Sequence, residues 1–177
     1  MERSNAGRPA GPLTFLDEGI AQVAFVVEDL ESTVENYYRN FGIGPWHFYT
    51  YGKPLVRKMS YRGAPADYEM RVALSYFGPM RVELIQPTRG PSLYEEFIEK
   101  HGYGVQHFGV LVTDMESALA RAARAGYAMI MDGSGFGRDG DGHYAYIDTE
   151  RDLGVVFELI QRPAGRMPPE KIFPEEL

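Results

Sequence analysis

The sequence contains no cysteine, which excludes disulfides, zinc–thiolate sites and thiol nucleophiles. Any bound metal must therefore have nitrogen and oxygen ligands. The sequence also lacks a run of about 18 apolar residues, the length that a membrane-spanning helix needs, and its polar start, MERSNAGRPAGP, lacks the hydrophobic stretch of a secretory signal. We therefore expect a cytoplasmic protein with no membrane partner.

Positive charge is scarce in this sequence. The formal net charge is -7, and no cluster of basic residues stands out. Binding to a nucleic acid depends on lysine and arginine side chains that neutralise phosphates, so we expect no nucleic-acid partner and a small-molecule substrate instead. With 177 residues and 44% hydrophobic content, the chain is large enough to bury the core of one domain, or of two modules that share a core.

The sequence contains an internal repeat. Residues 20–32, IAQVAFVVEDLES, align without a gap on residues 105–117, VQHFGVLVTDMES, at an offset of 85 residues. The tetrapeptide ELIQ occurs at 83–86 and again at 158–161, at an offset of 75 residues. Because the two matches occur in the same order, they predict two copies of one structural module.

Each copy has the same predicted order of elements. A strand leads into a helix that begins at Asp29 or Asp114, since aspartate accepts hydrogen bonds from the free N–H groups of the first helical turn. Three strands follow the helix. Ser92 and Glu95 fit a capping box that opens a short helix between the copies. The first copy has an extra segment, Lys53–Pro65.

These elements predict an α+β fold. A single β-α-β-β-β module would leave one face of its sheet exposed, so we expect two paired modules that form a concave, incomplete β-barrel around a central site. The sequence leaves open whether the modules pair within one chain or across the homodimer that we expect. The predicted parts are an N-terminal arm (1–17), a single domain (18–162) with module 1 (about 18–88), a linking helix (about 92–101) and module 2 (about 104–162), and a proline-containing C-terminal tail (163–177).

Four polar residues recur at equivalent places of the two copies, each among apolar neighbours: Gln22, Glu83, His107 and Glu158. Strand alternation places Glu83 and Glu158 opposite the side chains that pack under the helices. A buried carboxylate is costly unless a proton, a cation or a metal neutralises it. One shared divalent metal ion would satisfy all four residues, and this ligand set suits zinc, nickel, cobalt, manganese, magnesium or iron. The alternative is that arginines pair with the carboxylates and that Gln22 and His107 are hydrogen-bonded interior residues.

Further residues are candidates for a substrate pocket. Trp46 and Tyr49 lie on one predicted strand, Tyr76 lies on another, and His143 begins a third. The alternative for these side chains is a place in the core or in an interface. The glycine-rich segment GSGFGRDGDG, residues 133–142, precedes a strand and caps no helix, which favours a lid or a plain loop over a phosphate cradle.

These residues resemble the vicinal oxygen chelate superfamily, the glyoxalase/bleomycin-resistance fold, and within it the members similar to methylmalonyl-CoA epimerase and to glyoxalase. The resemblance covers about residues 18–162 and rests on QVAFVVEDLESTVENYYRNFGIGPW, RVELIQP, GVQHFGVLVTDMESALARAARAGY and GVVFELIQRP. It implies that the first and last strands of each module supply one metal ligand each, namely Gln22, Glu83, His107 and Glu158. The chain departs from many members at Gln22, where they have histidine. It also departs at Lys53–Pro65, near which Lys58 and Glu69 are candidates for a second acid or base.

The resemblance implies a divalent-metal-dependent isomerase, epimerase or lyase. Such an enzyme stabilises an enolate-type intermediate of a small carbonyl or acyl-thioester substrate during proton transfer. Glu158 is then the residue that moves the proton, and Glu83 is the opposing ligand or a second acid. The alternative is a metal-free protein of the bleomycin-resistance kind that only binds a small molecule. An iron dioxygenase is disfavoured, because that chemistry uses two histidines and Gln22 removes one of them.

Overall fold

The computed structural model describes residues 11, 13–14 and 19–175, so most of the predicted N-terminal arm (1–17) lies outside the described residues. In chain order the elements are β1 (Gln22–Val26), α1 (Leu30–Phe41), β2 (Trp46–Tyr51), β3 (Lys58–Tyr61), β4 (Ala64–Pro65), β5 (Glu69–Phe77), β6 (Met80–Arg89), α2 (Leu93–His101), β7 (Gly104–Leu111), α3 (Met115–Arg124), β8 (Met129–Phe136), β9 (Gly142–Ile147), α4 (Glu150–Leu153), β10 (Val156–Gln161) and β11 (Lys171–Phe173). Within the described residues, no helix combines the length and the apolar character that a membrane span requires.

One mixed sheet contains all of these strands, in the order β11-β2-β5-β6-β1-β7-β10-β9-β8-β3-β4. Strands β1 and β7 pair antiparallel at its centre and join the two modules edge to edge. Each of them also pairs in parallel with the last strand of its own module, β6 or β10. The predicted α+β fold of two paired β-α-β-β-β modules is confirmed, and the pairing occurs within a single chain.

The two long helices begin in the same way in both modules. The side chain of Asp29 accepts a hydrogen bond from the backbone N–H of Ser32 at 2.7 Å, and Asp114 accepts one from Ser117 at 3.1 Å. Helix α1 ends at Gly42, whose φ of 66° lies in the left-handed region that glycine adopts without strain. The predicted start of both helices is confirmed.

Helices α1 and α3 cover the outer face of the sheet. Apolar residues of α1 and β6 form a core beneath the first helix, among them Leu30, Val34, Val82 and Leu84. Residues of α3, β9 and β10 form an equivalent core beneath the second, among them Ala118, Ala122, Ala145 and Leu159. Because side chains alternate along a strand, Glu83 and Glu158 point to the opposite, concave face. A third core drawn from both modules fills that face, which shows that the sheet curls around it.

Two segments cross from one module to the sheet edge of the other. Strands β3 and β4 belong to the extra segment Lys53–Pro65, and β3 pairs with β8 at the edge of the second module. In the opposite direction, the chain leaves β10 and pairs as β11 with β2 at the edge of the first module. We call residues 163–173 the C-terminal strap. The two crossings tie the ends of the curled sheet to each other.

The glycine-rich segment 133–142 corrects one expectation, because residues 133–136 belong to strand β8 and are not a loop. A Cβ atom on Gly133 would lie 2.2 Å from the hydroxyl oxygen of Tyr144, and one on Gly137 would lie 2.4 Å from Cβ of Pro163. These glycines make room for a buried ring and for the C-terminal strap.

Candidate metal site and substrate cavity

Four side chains meet on the concave face where the two modules join. They come from the first and last strand of each module: Gln22 on β1, Glu83 on β6, His107 on β7 and Glu158 on β10. The amide nitrogen of Gln22 lies 2.8 Å from Oε2 of Glu83 and 2.9 Å from Oε2 of Glu158. Nε2 of His107 lies 3.2 Å from Oε2 of Glu158 and 3.6 Å from Oε2 of Glu83. The structure thus brings all four predicted ligands together.

Three of these residues offer a set of donor atoms that could hold a metal ion. One ligand atom each from Glu83, His107 and Glu158 lies within 4.8 Å of the other two. His107 is completely buried, and Glu158 is 5% exposed. One imidazole and two carboxylates in this arrangement suit a divalent cation, so the three residues fit a metal ion.

Gly109 allows the site to be this compact. A Cβ atom at this position of β7 would lie 2.9 Å from Cβ of Gln22 and 3.2 Å from Oε2 of Glu158. Both distances are shorter than a comfortable packing contact. The missing side chain therefore lets residues of two neighbouring strands approach each other.

Gln106 determines which nitrogen of His107 faces the carboxylates. The side-chain oxygen of Gln106 lies 2.6 Å from Nδ1 of His107. An amide oxygen only accepts hydrogen bonds, so Nδ1 carries a proton and Nε2 faces the site. Gln106 was not a predicted site residue, because strand alternation assigns it to the face opposite His107.

The carboxylates also determine the charge of His107. Burial alone would lower the pKa of this imidazole, but the adjacent Glu158 and Glu83 outweigh burial and raise the pKa to about 9. In the absence of a metal, His107 is therefore protonated at neutral pH and pairs with the two carboxylates.

Arg81 controls the orientation of the Gln22 amide. Nε of Arg81 donates a hydrogen bond to the side-chain oxygen of Gln22, so the amide nitrogen faces the site and donates to Glu83 and Glu158. Gln22 would bind a metal through its oxygen only if the amide turned over and left Arg81. In this arrangement Gln22 holds the two carboxylates together, and the direct metal fit rests on the other three residues.

A small cavity of about 40 Å³ lies beside these residues. Glu83 and Glu158 are part of its wall, and the remaining polar wall consists of Tyr51, Tyr94, Tyr144, Tyr146, Arg81, Arg162 and Arg166. Burial raises the pKa of Tyr94 and Tyr146 well above the ordinary value, so both phenols keep their protons. Their hydroxyl oxygens are 2.7 Å apart. One of the two protons makes this bond, and the other is left to donate to a third oxygen.

The predicted substrate-pocket residues lie outside the wall of this cavity, and three of them are clearly elsewhere. Trp46 is buried beneath α1, where its ring N–H donates to the backbone oxygen of Ile43 at 2.6 Å. Tyr76 is 58% exposed near the end of β5. His143 lines a separate groove and contacts Asp132 at 3.0 Å. The structure therefore does not bring Trp46, Tyr76 or His143 to the wall of this cavity, and their role in substrate binding stays a prediction.

Tyr49 lies nearer to the cavity than the other three. Its ring packs edge-to-face against Tyr51, a wall residue, with 6.2 Å between the ring centroids.

The candidates for a second acid or base lie elsewhere: Lys58 is exposed on β3, and Glu69 accepts a hydrogen bond from Thr88 at 2.9 Å. Neither belongs to the cavity wall.

Comparisons with known proteins agree with this architecture. The family model described as the Glyoxalase/Bleomycin resistance protein/Dioxygenase superfamily matches residues 21–146. Methylmalonyl-CoA epimerase from Mycobacterium tuberculosis is 20% identical over 89% of this chain and 95% of its own, with a TM-score of 0.60. A hypothetical protein from Bacillus halodurans is 17% identical over 84% and 97%, with a TM-score of 0.58. A variant of Streptomyces coelicolor methylmalonyl-CoA epimerase, solved with 2-nitronate-propionyl-CoA, is 20% identical over 84% and 97%, with a TM-score of 0.57. No curated protein sequence matches the chain.

Proposed function

Since the chain belongs to the glyoxalase/bleomycin resistance protein/dioxygenase superfamily, we propose that it is a divalent-metal-dependent epimerase, isomerase or lyase. Its substrate would be a small carbonyl or acyl-thioester compound with an acidic C–H next to the carbonyl. The observation that carries the proposal is the cluster of Glu83, His107 and Glu158 in the concave face, with both carboxylates in the wall of the cavity. Structural similarity to methylmalonyl-CoA epimerases supports the same reaction class.

In this proposal Glu83, His107 and Glu158 hold the metal. When bound, the metal ion supplies a Lewis acid that stabilises negative charge developing on a carbonyl oxygen. Gln106 keeps the imidazole in the tautomer that presents Nε2. The buried phenols of Tyr94 and Tyr146 add an O–H donor to the cavity wall.

Proton transfer falls to the two carboxylates. Glu158 is the proposed base, because it is buried, lines the cavity and has a partner in Gln22 that holds its oxygen in place. Glu83 accepts a hydrogen bond from the same Gln22 amide nitrogen as Glu158, and it also lines the cavity. An epimerase needs one group on each side of the reacting carbon, and in this proposal Glu83 is the opposing metal ligand or the second acid.

A second candidate function has its own observation. The amide hydrogens of Gln22 and the proton of His107 already provide both carboxylates with partners. The site is therefore complete as a hydrogen-bonded cluster without a metal, and a metal-free protein that only binds a small molecule would be stable with it. The same experiment separates the two functions.

We expect metal analysis of protein purified without chelators to find about one divalent ion per chain. Mass spectrometry should detect incorporation of solvent deuterium into at least one member of a panel of acyl-CoA thioesters and 2-oxo acids. Replacing the base in Glu158→Gln should lower the exchange rate by at least about 100-fold. Glu99→Gln, an exposed change on α2, should exchange like the wild type. Protein that takes up no metal under any loading condition and exchanges no substrate would be the small-molecule binding protein instead.

A homodimer in the cytoplasm is also part of this proposal. Sedimentation velocity of the purified protein measures its oligomeric state, and a monomer at micromolar concentration would contradict the homodimer.

A further inference from the structure

Three arginines surround the cavity that the proposed reaction uses. Arg81 reaches it from β6, Arg162 follows the end of β10, and Arg166 belongs to the C-terminal strap. They outnumber the two wall carboxylates, Glu83 and Glu158, and either a protonated His107 or a metal ion adds further positive charge. Within residues 19–175, no carboxylate lies within ion-pair distance of these three guanidinium groups. The wall therefore has an excess of positive charge over a very small volume.

Arg81 has an unsatisfied donor in this wall. The residue is 4% exposed, and its only hydrogen bond to the described residues is the one from Nε to the neutral amide of Gln22. Nη1 is buried and has no hydrogen-bond partner among the described residues. A buried charged donor without an acceptor is costly, and an anion in the cavity would remove that cost.

The C-terminal strap places Arg166 over the same cavity. The backbone of the strap is held on both sides of this residue: the backbone oxygen of Gly165 accepts from the backbone N–H of Arg138 at 2.9 Å, and the backbone N–H of Glu170 donates to the backbone oxygen of Phe48 at 2.9 Å. The backbone oxygen of Arg166 also accepts from Nε of Arg138 at 3.2 Å. Arg166 is exposed, and its guanidinium group, which has no partner in the described part of the chain, shares the cavity wall with Tyr51 and Glu158.

We propose that this cavity binds the carboxylate of a small carboxylic acid, with Arg81 contacting it from the floor and Arg166 from the strap. The inference rests on the proposed function for its site and deepens it, because it names the substrate class as carboxylate-bearing carbonyl compounds. Planar guanidinium groups match the geometry of a carboxylate. A volume of about 40 Å³ takes a group of that size. Arg162, exposed at the rim, increases the attraction for an approaching anion.

Malonate and its neutral diester, dimethyl malonate, provide a matched pair of probes. Calorimetric titration of the full chain, as purified and again after metal removal on a chelating resin, should show binding of malonate and none of the diester. Because a charged contact is lost, Arg166→Gln should weaken malonate binding by at least about tenfold, and Arg166→Lys should restore part of it. Arg151→Gln, an exposed change on α4 outside the cavity wall, should bind malonate like the wild type. Arg81→Gln should abolish malonate binding. If the Arg81→Gln variant misfolds, the result for Arg166→Gln still decides the test.

Three results would overturn the inference: equal binding of the diester, unchanged malonate affinity in Arg166→Gln, or tighter arginine-dependent binding of inorganic phosphate than of malonate. The titration measures binding and needs no turnover. If malonate binds in an arginine-dependent way but no substrate exchanges deuterium, the carboxylate site stands and the proposed enzymatic function fails. If substrates exchange deuterium but malonate does not bind, the enzymatic function stands and the carboxylate site fails.

Discussion

At the scale of single residues, the hydrogen bond from Arg81 to Gln22 decides what the fourth side chain of the site offers. With its oxygen engaged, Gln22 presents two N–H donors to Glu83 and Glu158 and no acceptor to a cation. Two opposing influences therefore act on metal affinity. The carboxylates attract a cation, while Arg81 repels it and withholds the amide oxygen.

Removing this restraint in Arg81→Met should strengthen zinc binding by about tenfold, because one positive charge leaves the site and Gln22 is free to turn its oxygen inward. Calorimetric titration of zinc into the metal-stripped variant measures the change, after circular dichroism has shown a native fold. The double variant Arg81→Met/Gln22→Ala separates the two contributions, since it keeps the gain in electrostatic attraction and loses the oxygen ligand. Unchanged or weaker zinc binding in the folded single variant contradicts the restraint.

The residues of the site differ in how far the sequence could reveal them. Gln22, Glu83, His107 and Glu158 were predictable, because a repeat placed them at equivalent positions among apolar neighbours. Arg81 shares a strand face with Glu83 two residues later, so alternation offered a signal that the sequence interpretation did not use. Gln106 gave no such signal, since its contact depends on a side chain that turns toward its neighbour in the same strand.

At the scale of elements, the glutamine that ends each ELIQ copy is connected to the start of a helix. The side-chain oxygen of Gln161 accepts from the backbone N–H of Met115, the first residue of α3, at 3.0 Å. The equivalent oxygen of Gln86 accepts from Leu30, the first residue of α1, at 3.4 Å. Each ELIQ copy therefore has two roles. Its glutamate faces the site, and its glutamine accepts a hydrogen bond from a backbone N–H that has no partner within the helix.

Gln161→Ala should reduce the free energy of unfolding by about 1 kcal/mol, because the first N–H of α3 loses its acceptor. Urea unfolding followed by circular dichroism measures the loss. Gln161→Glu is the matched control: it keeps an acceptor and places a negative charge at the positive end of the helix, so its stability should stay close to that of the wild type. Wild-type stability in Gln161→Ala would show that this hydrogen bond contributes nothing.

The element pattern was largely predictable, but the partner of each strand was not. Met59 and Tyr61 alternate with polar residues, and Lys58–Tyr61 is a strand. The same alternation is satisfied at any sheet edge that offers free backbone groups, so it could not show that β3 crosses to β8. The strand Lys171–Phe173 in the C-terminal tail had only three residues and little periodicity to mark it.

At the scale of the whole molecule, the cavity has a wall that is drawn from both modules. The C-terminal strap leaves the second module, passes the cavity with Arg166 and ends beside β2 of the first module. The extra segment Lys53–Pro65 passes in the other direction. Two modules with repeated sequence thus enclose one site between them, and the C-terminal strap supplies part of its wall.

Zinc titration of the metal-stripped full chain shows whether Glu83, His107 and Glu158 hold one divalent ion. We predict one ion per chain for the wild type and for His101→Ala, whose imidazole contacts Glu150 away from the site, and no site in His107→Ala. His107 has a pKa of about 9 without metal and must lose its proton to bind, so each ion should release a proton at neutral pH and affinity should rise as the pH approaches 9. If zinc binds His107→Ala as tightly as the wild type, or does not bind the wild type, these three residues are not a metal site.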